Sequence, residues 1–252
     1  MKIAMTGATG RVGSRLLPRL REQGHDVRAF TKRLADTDAV EELMTDVDAV
    51  VHVAAALRTS TNHEEVNVHN TRALAEASVK VPLFIHISTT LVYPGGLGRP
   101  ATEDDPARPD PEWGEYARTK ALGEKAVLDT REATVLRLSF VYGDGDPHLV
   151  EAMRWTSQWP GHQRLHLVHH ADVAQAIVKV LDTGATGFFN VADDSPATAV
   201  EVHLLNGATP SEAVQQEFDP WHAIVSTNRA QRELGFRPLY PSVWAAATAG
   251  VL

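Results

Sequence analysis

Residues 2–13 read KIAMTGATGRVG. KIAMT has the length and apolar character of a buried strand, and it runs straight into glycines at 7, 10 and 13 ahead of a helix-like stretch. A strand, a glycine turn and a helix in that order meet the needs of a dinucleotide site. Gly7 permits the tight turn, Gly10 lets the backbone approach a pyrophosphate, Gly13 allows close helix packing, and the helix N-terminus attracts the anion. Gly7, Thr9, Gly10, Arg11 and Val12 are therefore the expected cofactor contacts in the turn.

Downstream the alternation repeats. Strand-like runs at 26–30, 48–54, 83–88, 133–139 and 187–192 are separated by helix-like stretches around 11–23, 39–45, 64–79, 113–129 and 171–182. Such alternation predicts βαβ units, hence an α/β fold with a doubly wound parallel sheet of the Rossmann type. Pro18 falls inside the first helix, where it removes an internal hydrogen bond and should bend the axis. The segments 92–112 and 143–168, rich in Pro, Gly, Asp and Trp, read as long loops beyond the strand ends, and all five tryptophans lie at or after position 113. The expectation is one domain over 1–252. Within it, 1–142 forms a cofactor-binding core, and 143–168 and 193–240 form a small C-terminal substrate-binding region.

The end of the second strand bears on which dinucleotide is bound. An acidic residue there, about 20 residues past the glycines, would hold the adenosine ribose of NAD. Here the strand ends AFTKR, placing Thr31, Lys32 and Arg33 at that point, with Asp26 at the far end. Basic groups suit a 2′-phosphate, and Arg11 can join them. NADP(H) is preferred on this reading, with NAD(H) the alternative.

Composition narrows the partners. The 252 residues are 43% hydrophobic and 22% charged, as in a soluble globular protein, and no apolar run approaches the ~18 residues a membrane helix needs. The absence of cysteine excludes disulfides, thiolate metal sites and cysteine nucleophiles. A net charge of −8 argues against nucleic acid and anionic membranes, so a small-molecule substrate is expected. The N-terminal stretch lacks the apolar segment of a signal peptide, and a cytoplasmic location is the expectation.

In EYARTKALGE, residues 115–124, Tyr116 and Lys120 stand four apart and so share a helix face. Spacing alone leaves two readings open: a catalytic pair, or a half-buried tyrosine beside a solvated lysine. The wider pattern narrows them. TGATGRVG at 6–13, VHVAAA at 51–56, NVHNT at 67–71 and STTLVY at 88–93 join the Tyr116–Lys120 pair. LRLSFVYGDG at 136–145, VHHADVAQAI at 168–177 and ELGFRPLYP at 233–241 follow. Together they resemble the short-chain dehydrogenase/reductase superfamily, in its extended, NAD-dependent epimerase/dehydratase-like branch, over nearly the whole chain. Two departures stand out: Asn70 replaces a usual glycine, and 143–168 is short for a branch that holds large substrates.

The resemblance implies hydride transfer between a nicotinamide and a carbonyl carbon. Tyr116 would be the general acid/base, the Lys120 charge favouring its phenolate, and Lys120 would also hold the nicotinamide ribose. Ala54 and Ala55 follow the strand that lines the cofactor. Thr89, four residues before Tyr93, is implied as the hydroxyl holding the carbonyl oxygen. Alternation puts Ser88 and Thr90 on the other strand face, with Ser88 the runner-up if the strand end twists. Tyr93 and Tyr142 follow strand ends where substrate is expected, and Trp113, Trp155 and Trp159 are candidate pocket walls. Asn67 either serves backbone near Lys120 or caps a helix. His162, His166, His169 and His170 are spaced along the chain without completing a metal motif, so no metal is expected.

Three functions are weighed. An NADP(H)-dependent reductase of a small or medium-sized carbonyl compound is preferred over an NAD-dependent sugar-nucleotide epimerase or dehydratase, and over a non-catalytic NADP-sensing protein. Small residues on the Tyr116 helix, Ala117, Ala121 and Gly123, raise the option of a homodimer.

Overall fold

A computed structural model describes residues 1–57, 59–209 and 217–252, so positions 210–216 of the expected substrate-binding stretch lie outside the described residues. The chain opens with β1 (Lys2–Thr6), α1 (Gly13–Glu22), β2 (Asp26–Phe30), α2 (Thr37–Leu43) and β3 (Ala49–His52). A π-type turn (Glu65–His69) leads into α3 (Asn70–Ala77), followed by β4 (Leu83–Thr89), α4 (Gly114–Leu128), β5 (Thr134–Leu138) and β6 (Phe140–Tyr142). Then come α5 (His148–Thr156), β7 (Arg164–Leu165), β8 (Leu167–His169), α6 (His170–Thr183), β9 (Gly187–Val191), β10 (Ala197–Thr198), α7 (Ala199–Leu205) and α8 (Val243–Thr248).

Six strands pair in parallel in the order β2-β1-β3-β4-β5-β9. Strand order reverses between β1 and β3, and crevices at such switch points are where doubly wound sheets bind ligands. Both sheet faces are covered, which is why the strands read as continuous apolar runs. Ile85 and Ile87 of β4 pack in one cluster with Leu16 of α1 and Ile177 of α6, while Phe84 packs in another with Leu74 of α3 and Val127 of α4.

A third cluster lies beyond this sheet. Tyr142, Leu149, Leu165, Leu167, Val202 and Val243 bring together α5, α7, α8 and two small strand pairs, β6 with β8 and β7 with β10. The expected loop over 143–168 is thus corrected: it contains α5, which buries Leu149, Ala152 and Thr156 at helical spacing. Pro18 does not end α1. It and Ser14, the residue whose carbonyl it deprives of a donor, are both exposed at the surface, where losing that bond costs less than it would in the core. Among the described residues no helix is long and apolar enough to cross a membrane.

Candidate active site

The glycine turn after β1 is held by its own backbone. Gly7 has φ 71°, and a Cβ there would lie 2.4 Å from the Ala54 nitrogen, while one on Gly13 would lie 2.0 Å from the Gly7 oxygen. Both positions exclude any side chain. Gly10 differs, since a Cβ there meets only the Gly7 oxygen, at 3.3 Å. The protein leaves the space above Gly10 unfilled, and no side chain caps the start of α1. A backbone cradle open at a helix N-terminus fits an anionic pyrophosphate.

The basic residues expected around it divide. Thr31, Lys32 and Arg33 are exposed at the end of β2. Arg11 is instead drawn to α5, with Nη1 2.9 Å from Glu151 Oε2 and 3.4 Å from Asp146 Oδ1. Asp146 in turn meets His170 Nε2 at 2.9 Å. Thr9 and Val12 lie in the turn, and Ala54 and Ala55 lie half-buried just past β3, the Ala54 amide 3.5 Å from Thr6 Oγ1.

Helix α4 carries the tyrosine and lysine. Tyr116 is half-buried near its start, while Lys120, one turn on, is 2% exposed. The Lys120 ammonium donates to the Ile87 carbonyl at 2.7 Å and lies 3.4 Å from His86 Nε2. Burial pushes the lysine down to about 8, against the opposing pull of Glu124. His86 sits well below the usual histidine range because it is buried, with the Lys120 charge and His52 adding to the effect. His52, its ring tilted 33° to that of His86 with centres 5.2 Å apart, bridges Thr6 Oγ1 at 2.7 Å and Thr71 Oγ1 at 2.9 Å, and burial pushes it down to about 3. Two neutral imidazoles therefore separate the Lys120 charge from β1 and α3.

The small residues of α4 face its own chain. A Cβ on Gly123 would lie 2.3 Å from the Asn67 carbonyl oxygen, and Ala117 is fully buried. The Asn67 side chain accepts from the Ala56 amide at 2.8 Å and donates to Thr119 Oγ1 at 3.0 Å. It therefore ties the stretch after β3 to α4 and caps no helix.

The hydroxyls near the end of β4 have separate employments. Ser88 donates to Glu124 Oε1 at 2.5 Å, inside a buried ion pair in which Glu124 meets Arg137 at 2.7 Å. The Tyr93 hydroxyl accepts from Arg137 and donates to Asn190, each at 2.8 Å, and burial pushes it up to about 12. Thr89 Oγ1 accepts from the Leu91 amide at 3.3 Å as the chain turns out of the strand.

Beyond that turn, Thr90, Tyr93, Asp110, Trp113, Asp219, Trp221 and His222 line a cleft between the segment following β4 and the start of α4. Tyr142 and Trp155 belong to the third hydrophobic cluster rather than to this cleft, Tyr142 fully buried and Trp155 edge-on to Phe140. The four spaced histidines do not converge. His166 meets the Asp193 carbonyl, His169 the Val251 carbonyl, His170 Asp146, and His162 the Phe218 ring. Asp110, Glu112 and His222 do converge, with one donor atom each within 4.8 Å of the others, and His222 Nε2 lies 3.0 Å from Glu112 Oε1. Sequence reading missed His86 and the cleft residues Asp110, Asp219, Trp221 and His222. His86 was discoverable, because it shares with Ser88 the β4 face that meets α4. The others sit in aperiodic loops that carry no such signal.

Residues 1–209 match the family model described as RmlD substrate binding domain. Among similar proteins is a dTDP-4-dehydrorhamnose reductase of Streptomyces griseus, 33% identical over 96% of this chain and 86% of the relative. Another is the spore coat polysaccharide biosynthesis protein SpsK of Bacillus subtilis, 28% identical over 94% of this chain and 93% of the relative. Among solved structures, a short-chain dehydrogenase/reductase superfamily protein from Agrobacterium tumefaciens with bound NAD superposes with a TM-score of 0.79. It is 25% identical, and the match covers 99% of this chain and 97% of that one.

Proposed function

Because this chain belongs to the RmlD substrate binding domain family, within the extended short-chain dehydrogenases/reductases, we propose that it is an NADPH-dependent reductase of a carbonyl group, with Tyr116 as proton donor. The Streptomyces griseus relative is named for reducing a dehydro sugar, a chemistry that a nicotinamide site and an acid–base tyrosine can supply. The turn at Gly7, Thr9, Gly10 and Val12, with Ala54 and Ala55, would hold the dinucleotide, and Thr31, Lys32 and Arg33 its 2′-phosphate. Bound there, the nicotinamide supplies the hydride. Residues 1–142 then form the cofactor half, with 143–168 and 193–240 closing the substrate side.

The carrying observation is the seating of Lys120, buried and anchored on the Ile87 carbonyl one helical turn from Tyr116. A poorly solvated positive charge acts strongly on its neighbours. It favours the phenolate left when Tyr116 gives up its proton, and below about pH 8 the lysine keeps that charge. Thr89, at the end of β4, is the second hydroxyl for the carbonyl oxygen. Ser88 is spent on Glu124.

Tyr116→Phe tests the assignment. The expected result is a fall in kcat of about 10²–10⁴, the usual contribution of a positioned acid. NADPH affinity should stay within about twofold, because the substitution removes a hydroxyl and no charge. An unchanged kcat would remove Tyr116 from the chemistry, and tighter binding of NADH than NADPH would remove the 2′-phosphate role from Thr31, Lys32 and Arg33.

A further inference from the structure

Arg11 stands in the glycine turn, next to Gly10, yet its side chain serves α5. Nη1 lies 2.9 Å from Glu151 Oε2 and Nη2 3.3 Å from Glu151 Oε1, the two-bond arrangement in which a guanidinium grips a carboxylate most firmly. Nη1 also lies 3.4 Å from Asp146 Oδ1, so two carboxylates share one cation.

Those carboxylates differ in what else holds them. Asp146 is fully buried in its side chain and fixed from its own side, where Oδ1 takes the His148 amide at 3.0 Å and Oδ2 lies 2.9 Å from His170 Nε2. Glu151 is 35% exposed in its side chain, and among the described residues its carboxylate bonds only Arg11. The other cations of this corner face elsewhere. Arg15 donates to the Arg11 carbonyl at 2.9 Å and to the Asp144 carbonyl at 3.3 Å, and Arg19 pairs with Asp144 at 2.8 Å.

The turn itself is built to receive an anion. Among the described residues the Arg11 and Val12 amides donate to no acceptor, no side chain caps α1, and a Cβ on Gly10 would meet only the Gly7 oxygen. The guanidinium that belongs to this turn is thus drawn off by a glutamate of another helix.

We infer that Glu151 sets the affinity for the dinucleotide by holding Arg11 away from its pyrophosphate, which must compete with this carboxylate for the guanidinium. The inference rests on the reductase reading, which puts the dinucleotide on this turn. Glu151 acts through Arg11 and touches no reacting atom. A pair that merely fastened α5 to the turn would have the opposite sign: cutting it would loosen the turn and weaken binding.

Dissociation constants of NADPH and NADH, read from the fluorescence of the reduced nicotinamide, test this in the wild type, Glu151→Gln, Arg11→Ala and the double variant. Glu151→Gln should bind both dinucleotides about three- to tenfold more tightly, since a negative charge leaves the neighbourhood of the pyrophosphate and a guanidinium is released toward it. Near 0.5 M salt, where the screening length is about 4 Å, the gain should shrink to about twofold or less. With Arg11 replaced by alanine, Glu151→Gln should gain about twofold at most, because its effect runs through the guanidinium.

Equal or weaker binding by Glu151→Gln would overturn the inference, and so would a full gain in the Arg11→Ala background. A gain confined to NADPH would also overturn it, because the pyrophosphate is common to both dinucleotides. Should Glu151→Gln fold poorly, the Arg11 side-chain ¹⁵Nε–¹H signal of the wild type, assigned by its loss in Arg11→Ala, decides: it should move when NADPH is added, and a signal left in place overturns the inference. If neither dinucleotide binds any of the four proteins, the reductase reading falls and the inference with it, whereas binding to the wild type without a gain in Glu151→Gln removes the inference alone.

Discussion

A methyl group on Gly13 would fall 2.0 Å from the Gly7 oxygen, and neither backbone has anywhere to go. Gly13→Ala is therefore expected to weaken NADPH binding by more than tenfold, measured by fluorescence titration, because the turn must open to admit the methyl. At Glu124 the constraint is electrostatic. Removing its charge leaves the Arg137 guanidinium, 2% exposed, without a counter-charge, so Glu124→Gln should cost about 3–5 kcal/mol in a denaturant titration. Ser88→Ala removes one hydrogen bond of the same network and should cost about 1–3 kcal/mol, leaving kcat nearly unchanged. At Lys120 the prediction is a pH profile. Burial brings the lysine down to about 8, so kcat for ketone reduction should decline as pH rises through that value, and Lys120→Met should abolish the inflection along with most of the rate.

Helix α4 works as a unit, since one face meets the π-type turn at 65–69 and presents Lys120 to β4. Gly123 sets that approach, its missing Cβ standing 2.3 Å from the Asn67 carbonyl. Gly123→Ala should push the helix outward and lower kcat more than it lowers the midpoint of thermal unfolding. The sequence made this helix and the six strands of the main sheet readable because burial on both faces of a sheet writes long apolar runs, and the Tyr116–Lys120 spacing is helical. Other parts left no such trace. The nine residues of α5 lie in a stretch of Asp, Pro and Trp, and only three of them are buried. The cleft is assembled by loops around 94–97, 110–113 and 219–225, where tertiary contacts and not periodicity decide which side chains meet. Even the hydroxyls were partly illegible: alternation separates Ser88 from Thr89, but it does not reveal that Ser88 answers to Glu124.

Over the whole molecule, buried ionisable groups set opposing slopes of stability with pH. His52 falls from 6.5 to about 3 and His166 from 6.5 to about 4, both through burial. Their folded values lie below the unfolded one, so the unfolded chain takes up protons first. The stability they contribute is present above pH 6.5 and is lost on acidification, at about 1.4 kcal/mol per pH unit for each group. Asp193 runs the other way, raised by burial from 3.8 to about 9, with Oδ2 buried and unpaired. The folded chain retains that proton, so its contribution is greatest below 3.8 and is lost as pH rises toward 9. Tm followed by calorimetry across pH should therefore peak near pH 6–7. Asp193→Asn should flatten the alkaline limb and steepen the acid limb, because between pH 3.8 and 6.5 the aspartate offsets part of the histidine slope.

The unequal reasons for the three turn glycines reach beyond a single molecule. Folding itself forbids change at Gly7 and Gly13, whereas a Cβ on Gly10 would meet only the Gly7 oxygen, at 3.3 Å, so the proposed dinucleotide is the stronger demand on that position. In a lineage that stopped binding dinucleotides, selection would let go of position 10 first and hold 7 and 13 for as long as the fold survived. The residue at that position, read across descendants of this chain, would thus record whether the ancestral chemistry was still in use.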